Sequence, residues 1–133
     1  MAPVAVPDVA GAWETAHKES VTTPSQAKAR YLLKTVGPRI AAASLGLSDA
    51  RRLKRWAKDG DEPRELVVAQ RLDALFWIVR AIDAVYSVAV AARFLRSSNP
   101  QLADDAPLVV LAGAADGDDI RRALTATRAF LEG

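Results

Sequence analysis

The sequence predicts an all-α fold, and three observations support it. Alternation of apolar and polar residues, the mark of a half-buried strand, is never sustained along the 133 residues. Ala, Leu and Arg, which favour helices, dominate the composition. Apolar residues recur with the helical period, most clearly at Leu72, Leu75, Phe76, Val79, Ile82 and Tyr86. The length suits a single domain with one core.

Residues 1–24 are expected to form a flexible N-terminal arm. Pro and Gly interrupt them at four positions, and the apolar residues show little periodicity. Trp13 is the residue most suited to hold the arm against the core. His17, the only histidine, is expected at the surface.

Residues 25–86 are expected to form a helix-turn-helix region. Helices are predicted over residues 25–36, 39–45, 49–58 and 63–86. Ser25 and Ser48 are the expected N-caps of the first and third of these helices. Gly46 ends the second helix, and Pro63 opens the longest one.

Residues 87–133 are expected to form a small helical subdomain, with helices over residues 87–96, 107–111 and 116–131. A tight turn at Asn99-Pro100 separates the first two helices. The acidic residues around Asp116 resemble part of a calcium loop. Because the closing Glu is absent, the start of a helix explains them better.

The stretch from Ala42 to Trp56 matches the requirements of a helix-turn-helix. Ala42 is small enough for close contact between the helices, Gly46 can adopt the left-handed turn, and Leu53 with Trp56 can lock the second helix. Leu53 and Trp56 each fall one residue later than the usual spacing. An ordinary helical hairpin with a solvated basic face is the alternative.

Charge favours binding of a polyanion by this region. Residues 25–60 contain nine Lys or Arg against two acids, whereas residues 97–133 contain three against six. This asymmetry predicts two surfaces with different partners. The residues expected to contact double-stranded DNA are Ser48, Arg51, Arg52, Lys54, Arg55 and Lys58.

The composition argues against an enzyme. The chain has no Cys and one His, which removes thiolate chemistry, Cys-ligated zinc and most metal and acid-base schemes, so neither a metal nor a cofactor is expected. The N-terminus lacks the basic and apolar regions of a secretory leader. No stretch is apolar enough to cross a membrane, and a cytoplasmic protein is expected.

The C-terminal motifs carry a family resemblance. Ala92-Arg93-Phe94-Leu95, then Asn99-Pro100-x-Leu102, then Ala106-Pro107-Leu108-x-x-Leu111 follow the helix-turn-helix and the long helix. In this order, over about residues 25–133, the chain resembles the Xre/MbcA/ParS-type antitoxins. It departs from them at Ala103-Asp104-Asp105, where the family usually has a Gly-rich segment.

The resemblance implies an antitoxin of a type II toxin-antitoxin module, which is itself no catalyst. Its implied partners are a RES-domain toxin that degrades NAD and its own operator DNA. The residues expected to bind the toxin are Phe94, Asn99, Pro100, Leu102, Pro107, Arg128, Leu131, Glu132 and Gly133. The end of the last helix would plug the toxin's active site by burying Phe130 and Leu131. The alternative is that these two residues close the antitoxin's own core.

A homodimer is also expected. Helix-turn-helix proteins commonly read two half-sites with two-fold symmetry. The apolar flank formed by Trp77, Ile78, Ala81 and Val85 offers more hydrophobic surface than one small core needs. A stand-alone dimeric helix-turn-helix transcriptional regulator, whose C-terminal helices serve only dimerisation, is the competing function.

Overall fold

The computed structural model describes residues 8–133 and confirms the all-α class, with no strand in this part of the chain. Its α-helices are α1 (Val9–Thr22), α2 (Ser25–Lys34), α3 (Pro38–Ser44), α4 (Arg51–Asp59), α5 (Leu66–Val85), α6 (Val88–Arg96), α7 (Pro107–Gly113) and α8 (Gly117–Glu132). A 3-10 turn, Pro100–Leu102, lies between α6 and α7. None of these helices combines the length and apolarity needed to cross a membrane.

The helix α5 is the centre of the molecule. It packs against α1, α2, α6 and α8, and its buried residues include Leu72, Leu75 and Ile82. Buried side chains from α1 to α8 join around it in one continuous apolar cluster. The predicted periodic stripe therefore lies in the core, except at its last member. Tyr86 follows the end of α5 and is 51% exposed.

The expected flexible arm is wrong for residues 9–22, which form helix α1. Asp8 caps this helix, because its carboxylate accepts a hydrogen bond from the Gly11 N–H at 2.9 Å. The buried positions of α1 are the small residues Ala16 and Ser20, so its apolar face gives only a faint hydropathy signal. Residues 1–7, the rest of the expected arm, lie outside the described residues.

Helix α1 covers the flank of α5 that was expected to serve a dimer. Ile78 and Ala81 are completely buried within the chain. The Trp77 ring lies 4.6 Å from the Trp13 ring and 4.3 Å from the His17 ring, measured between centroids. Its indole N–H donates to the Trp13 carbonyl at 3.1 Å. Packing of α1 therefore removes part of this flank from water, and Trp77 and Val85 stay half-buried.

The helix ends differ in part from prediction. Ala50, not Ser48, is the N-cap of α4, and Asp49 Oδ1 accepts from the Arg51 N–H at 2.9 Å. Ser25 is the first residue of α2 and not its cap, and α5 begins at Leu66 and not at Pro63. Asp116 caps α8 by accepting from two backbone N–H groups, which confirms that the acidic residues mark a helix start.

Candidate functional site

Helix α4 has one apolar face and one basic face. Leu53, Trp56 and Ala57 are buried. Four exposed cations occupy the opposite face, namely Arg51, Lys54, Arg55 and Lys58. Lys54, Arg55 and Lys58 follow Arg51 by three, four and seven residues, which places all four in one stripe about 10 Å long. The helix therefore presents a continuous row of positive charge to solvent.

Among the residues that the structure describes, carboxylates pair with two of the candidate DNA-binding cations. Arg51 donates to Asp49 Oδ2 at 2.7 Å, and Arg52 donates to Glu65 at 2.6 Å. The Arg52 guanidinium also lies 5.5 Å from the centroid of the Trp56 ring. Within residues 8–133, the other three candidates, Lys54, Arg55 and Lys58, make no ion pair. Ser48 is exposed and precedes the helix.

Asp49 is a local competitor for the basic stripe. Hydrogen bonds from the Arg51 side chain and backbone hold the pKa of Asp49 below its usual value. Asp49 consequently stays ionised at neutral pH. Arg51 donates to Asp49 Oδ2 through Nε and Nη2, so a phosphate that binds this side of the guanidinium competes with the carboxylate. Arg51 is therefore less available to a polyanion than Lys54, Arg55 and Lys58.

The turn before α4 has the glycine conformation that the sequence predicts. Gly46 has φ +74°, and an added Cβ would lie 2.7 Å from Arg71 Nη1 and 2.9 Å from the Ala112 carbonyl oxygen. Arg71 donates to the Leu45 carbonyl at 3.1 Å and to the Ala114 carbonyl at 2.6 Å. One guanidinium of α5 therefore joins the C-terminal ends of α3 and α7.

The packing of α3 and α4 differs from what the motif suggests. The main neighbour of α3 is α7, whereas α4 packs chiefly against α2. Ala42 and Leu53 are buried, as expected, but the predicted close contact between their two helices is wrong, because α3 and α4 barely touch each other. The structure thus contains the left-handed turn and the basic helix, and it positions that helix through α2.

Two side chains of α2 hold the C-terminal end of α4. Gln26 Nε2 donates to the carbonyls of Ala57 and Lys58 at 3.2 and 3.3 Å. Arg30 Nε donates to the Ala57 carbonyl at 2.8 Å. Sequence analysis missed both residues, because a bond between positions about 30 residues apart leaves no local signal.

The Asn99-Pro100 turn is organised by Asn99. Its side-chain oxygen accepts from Gln101 N–H at 2.9 Å, and its carbonyl accepts from the N–H groups of Leu102 and Asp104 at 2.9 Å each. Ala103 and Asp104 have φ values of +53° and +69°. The turn thus adopts the conformation that glycine favours at the place where the resembled family has glycine.

The predicted toxin-binding residues divide into two groups. Phe94, Leu102, Pro107 and Leu131 are buried in the protein's own core, whereas Pro100, Glu132 and Gly133 are exposed. Asn99 and Arg128 are half-buried, and Arg128 donates to Glu132 at 2.6 Å. The buried group shapes the C-terminal subdomain, and a partner can touch only the others.

The end of α8 presents Phe130, and not Leu131, to solvent. Leu131 is 3% exposed, while Phe130 is 37% exposed. The Phe130 ring lies 4.7 Å from the Phe94 ring and 5.8 Å from the Tyr86 ring, between centroids. Tyr86 and Phe130 form an aromatic surface, here called the Tyr86–Phe130 patch. Sequence analysis missed Tyr86 as a surface residue because it continues the periodic stripe of α5.

A cleft of about 600 Å³ lies between α1, α5 and α8, over an apolar floor that includes Trp13, Trp77 and Leu124. Arg121, Arg128 and Glu132 line its edge. Lys28 lines an adjoining cleft and is paired with Asp73 at 2.6 Å. In residues 8–133, no three His, Asp or Glu side chains lie close enough together to hold a metal ion.

Comparison of the chain with protein-family models, with curated proteins and with solved structures gives no match.

Proposed function

We propose that the protein is a non-enzymatic antitoxin of a type II module that binds its own operator DNA and neutralises a RES-domain toxin. The observation that carries the DNA-binding half is the stripe of four exposed cations on α4. The order of the C-terminal motifs supports the antitoxin half. The two functions use different parts of the sequence, the basic residues 25–60 and the acidic residues 97–133.

The basic stripe of α4 suits the phosphates of duplex DNA. A helix fits into a major groove about 12 Å wide, and arginine can donate two hydrogen bonds to guanine or phosphate. Lys54, Arg55 and Lys58 would bind phosphate without breaking an ion pair. Arg52 is turned toward Glu65, so we assign it the weakest direct role.

Salt-dependent binding tests the DNA-binding function. The duplex is the region upstream of the protein's own gene, and fluorescence anisotropy measures affinity at several salt concentrations. Because each phosphate contact contributes about 0.9 to the log-log slope, Arg51→Ala/Arg55→Ala should lower the slope by about 0.9 to 1.8. The lower value applies if Asp49 keeps Arg51 from phosphate. Arg121→Ala/Arg122→Ala removes the same charge from α8 and should leave binding unchanged. Equal losses in both double variants would contradict a role specific to α4.

The exposed part of the C-terminal subdomain is the surface for the toxin. The Tyr86–Phe130 patch supplies aromatic anchors, which interfaces favour. A cleft that binds the phosphates of NAD is expected to be positively charged, and the acidic balance of residues 97–133 is complementary to it. Phe130, rather than Leu131, is the side chain available for burial in the toxin.

Co-expression with the adjacent reading frame tests the antitoxin function. If that frame encodes a RES-domain toxin, the wild-type protein should preserve cellular NAD, and Phe130→Ala should weaken the complex about 30-fold or more. Thr125→Ala, at an exposed position on α8 away from the patch, is the matched control. A Phe130→Ala variant that folds and protects NAD fully would exclude the patch as the toxin-binding surface.

The exposed Tyr86–Phe130 patch also favours a second candidate, a stand-alone dimeric regulator in which this patch joins two copies. Light scattering of the wild-type protein and of Phe130→Ala at micromolar concentration, read together with the co-expression test, separates the two functions. The regulator would be favoured if the wild-type protein is a dimer that Phe130→Ala converts to a 14.2 kDa monomer, and if the adjacent gene product does not change cellular NAD.

A further inference from the structure

We propose that the DNA-binding surface extends beyond α4 onto α2, where Arg30 and Lys34 bind the phosphate backbone and Gln26 positions α4. This inference depends on the proposed DNA-binding function and assigns residues that the helix-turn-helix pattern does not include. The surface is thus built from two helices, and its partner is duplex DNA contacted along more of its backbone than one helix can reach.

The first step is the junction between the two helices. Gln26 and Arg30 are one helical turn apart on α2, and both donate to carbonyls in the last turn of α4. These carbonyls have no partner within their own helix. These hydrogen bonds keep the last turn of α4 from fraying. They therefore set where α4 ends and how Lys58 is placed against α2.

The second step is the charge on α2. Arg30 uses Nε for the Ala57 carbonyl, which leaves its two terminal nitrogens for a further acceptor. Arg30 and Lys34 are exposed and four residues apart, so they share one side of α2. Neither makes an ion pair in the described part of the chain.

The third step is continuity with the stripe of α4. Arg30 touches the backbone of Ala57, the residue directly before Lys58. Arg30 therefore lies beside the C-terminal end of the stripe, and Lys34 follows it one helical turn further along α2. We expect the backbone of a duplex bound by the stripe to reach Arg30 at this end, with Lys34 beside it.

Three variants, each measured by anisotropy on the upstream duplex across salt concentrations, test the proposal. Arg30→Ala and Lys34→Ala should each reduce the log-log slope by about 0.9, since each removes one phosphate contact. Gln26→Ala removes no charge, so it should lower affinity by about three- to tenfold at an unchanged slope. Arg96→Ala, at an exposed position on α6, should change neither quantity.

Circular dichroism checks that each variant is folded. If Arg30→Ala does not fold, Lys34→Ala still tests the proposal, because Lys34 makes no side-chain hydrogen bond among the described residues. Suppose that Arg30→Ala and Lys34→Ala both keep the wild-type slope while Arg51→Ala/Arg55→Ala reduces it. This result would overturn the extension to α2 but not the DNA-binding role of α4. Absence of salt-dependent binding by the wild-type protein would instead overturn the proposed DNA-binding function and the extension with it.

Discussion

Ala103 has a left-handed backbone, with φ +53°, in the turn that Asn99 organises. A left-handed backbone costs a residue with a Cβ about 1–2 kcal/mol of conformational free energy, whereas it costs glycine little. Part of the gain is offset, because glycine also gives the unfolded chain more freedom. We expect Ala103→Gly to raise the free energy of unfolding by about 0.5–1 kcal/mol, measured by urea denaturation.

Ala27→Gly is the control for this substitution, because Ala27 is exposed within helix α2. There glycine should lower stability by up to about 1 kcal/mol. Destabilisation of similar size at both positions would contradict the effect assigned to the backbone of Ala103.

Asp49 is the second residue whose role can be isolated. Asp49→Asn keeps an oxygen that can accept from the Arg51 N–H but removes the charge that competes with phosphate for the Arg51 side chain. One unit charge near the interface is worth about 1 kcal/mol or more, so duplex DNA should bind about three- to tenfold more tightly at low salt. The advantage should shrink as salt rises. Unchanged or weaker binding at low salt would contradict competition by Asp49.

At the scale of elements, Arg71 joins three helices. Its hydrogen bonds reach the last carbonyls of α3 and α7 from α5, and its guanidinium lies where a Cβ on Gly46 would clash. Arg71→Ala leaves both carbonyls without this donor and should lower the free energy of unfolding by about 2–4 kcal/mol. Arg96→Ala, at an exposed position, should change it by less than about 0.5 kcal/mol. A similar small loss in both variants would show that the bridge contributes little.

The last turn of α8 separates two neighbouring apolar residues. Leu131 is buried in the core and Phe130 lies on the surface patch. Leu131→Ala should therefore cost about 2–5 kcal/mol in urea unfolding, whereas Phe130→Ala should cost clearly less. A truncation after Thr127 removes Phe130 and Leu131 together. Loss of toxin neutralisation in that variant would therefore not show which of the two residues contacts the toxin. Equal costs for the two point variants would contradict the opposite orientations.

At the scale of the whole molecule, one apolar cluster includes buried residues from α1 to α8. The region around the candidate DNA-binding helix and the C-terminal subdomain share α5 as their support. We expect one cooperative unfolding transition in urea, with tryptophan fluorescence and helical circular dichroism giving the same midpoint. Two separated midpoints would show that the C-terminal helices unfold independently.

Much of this fold is predictable from sequence because its signals are local. Helical periodicity identifies α5, Pro and Gly mark the ends of α3, and Asp116 marks the start of α8. The exposed cations of α4 are predictable for the same reason, since the buried and exposed positions follow from one helical period. Ser48 was misassigned as a cap because Asp49, the next residue, supplies the same chemistry.

Propensity, capping and periodicity act within a few residues, so the helical class, the positions of most helices and the charge of α4 follow from the amino-acid sequence alone. Three features do not follow from it: α1 packs on Trp77, Gln26 and Arg30 hold the end of α4, and Phe130 rather than Leu131 faces solvent. These outcomes depend on which surfaces meet in space, and contacts between distant residues are selected by the packing of the whole core.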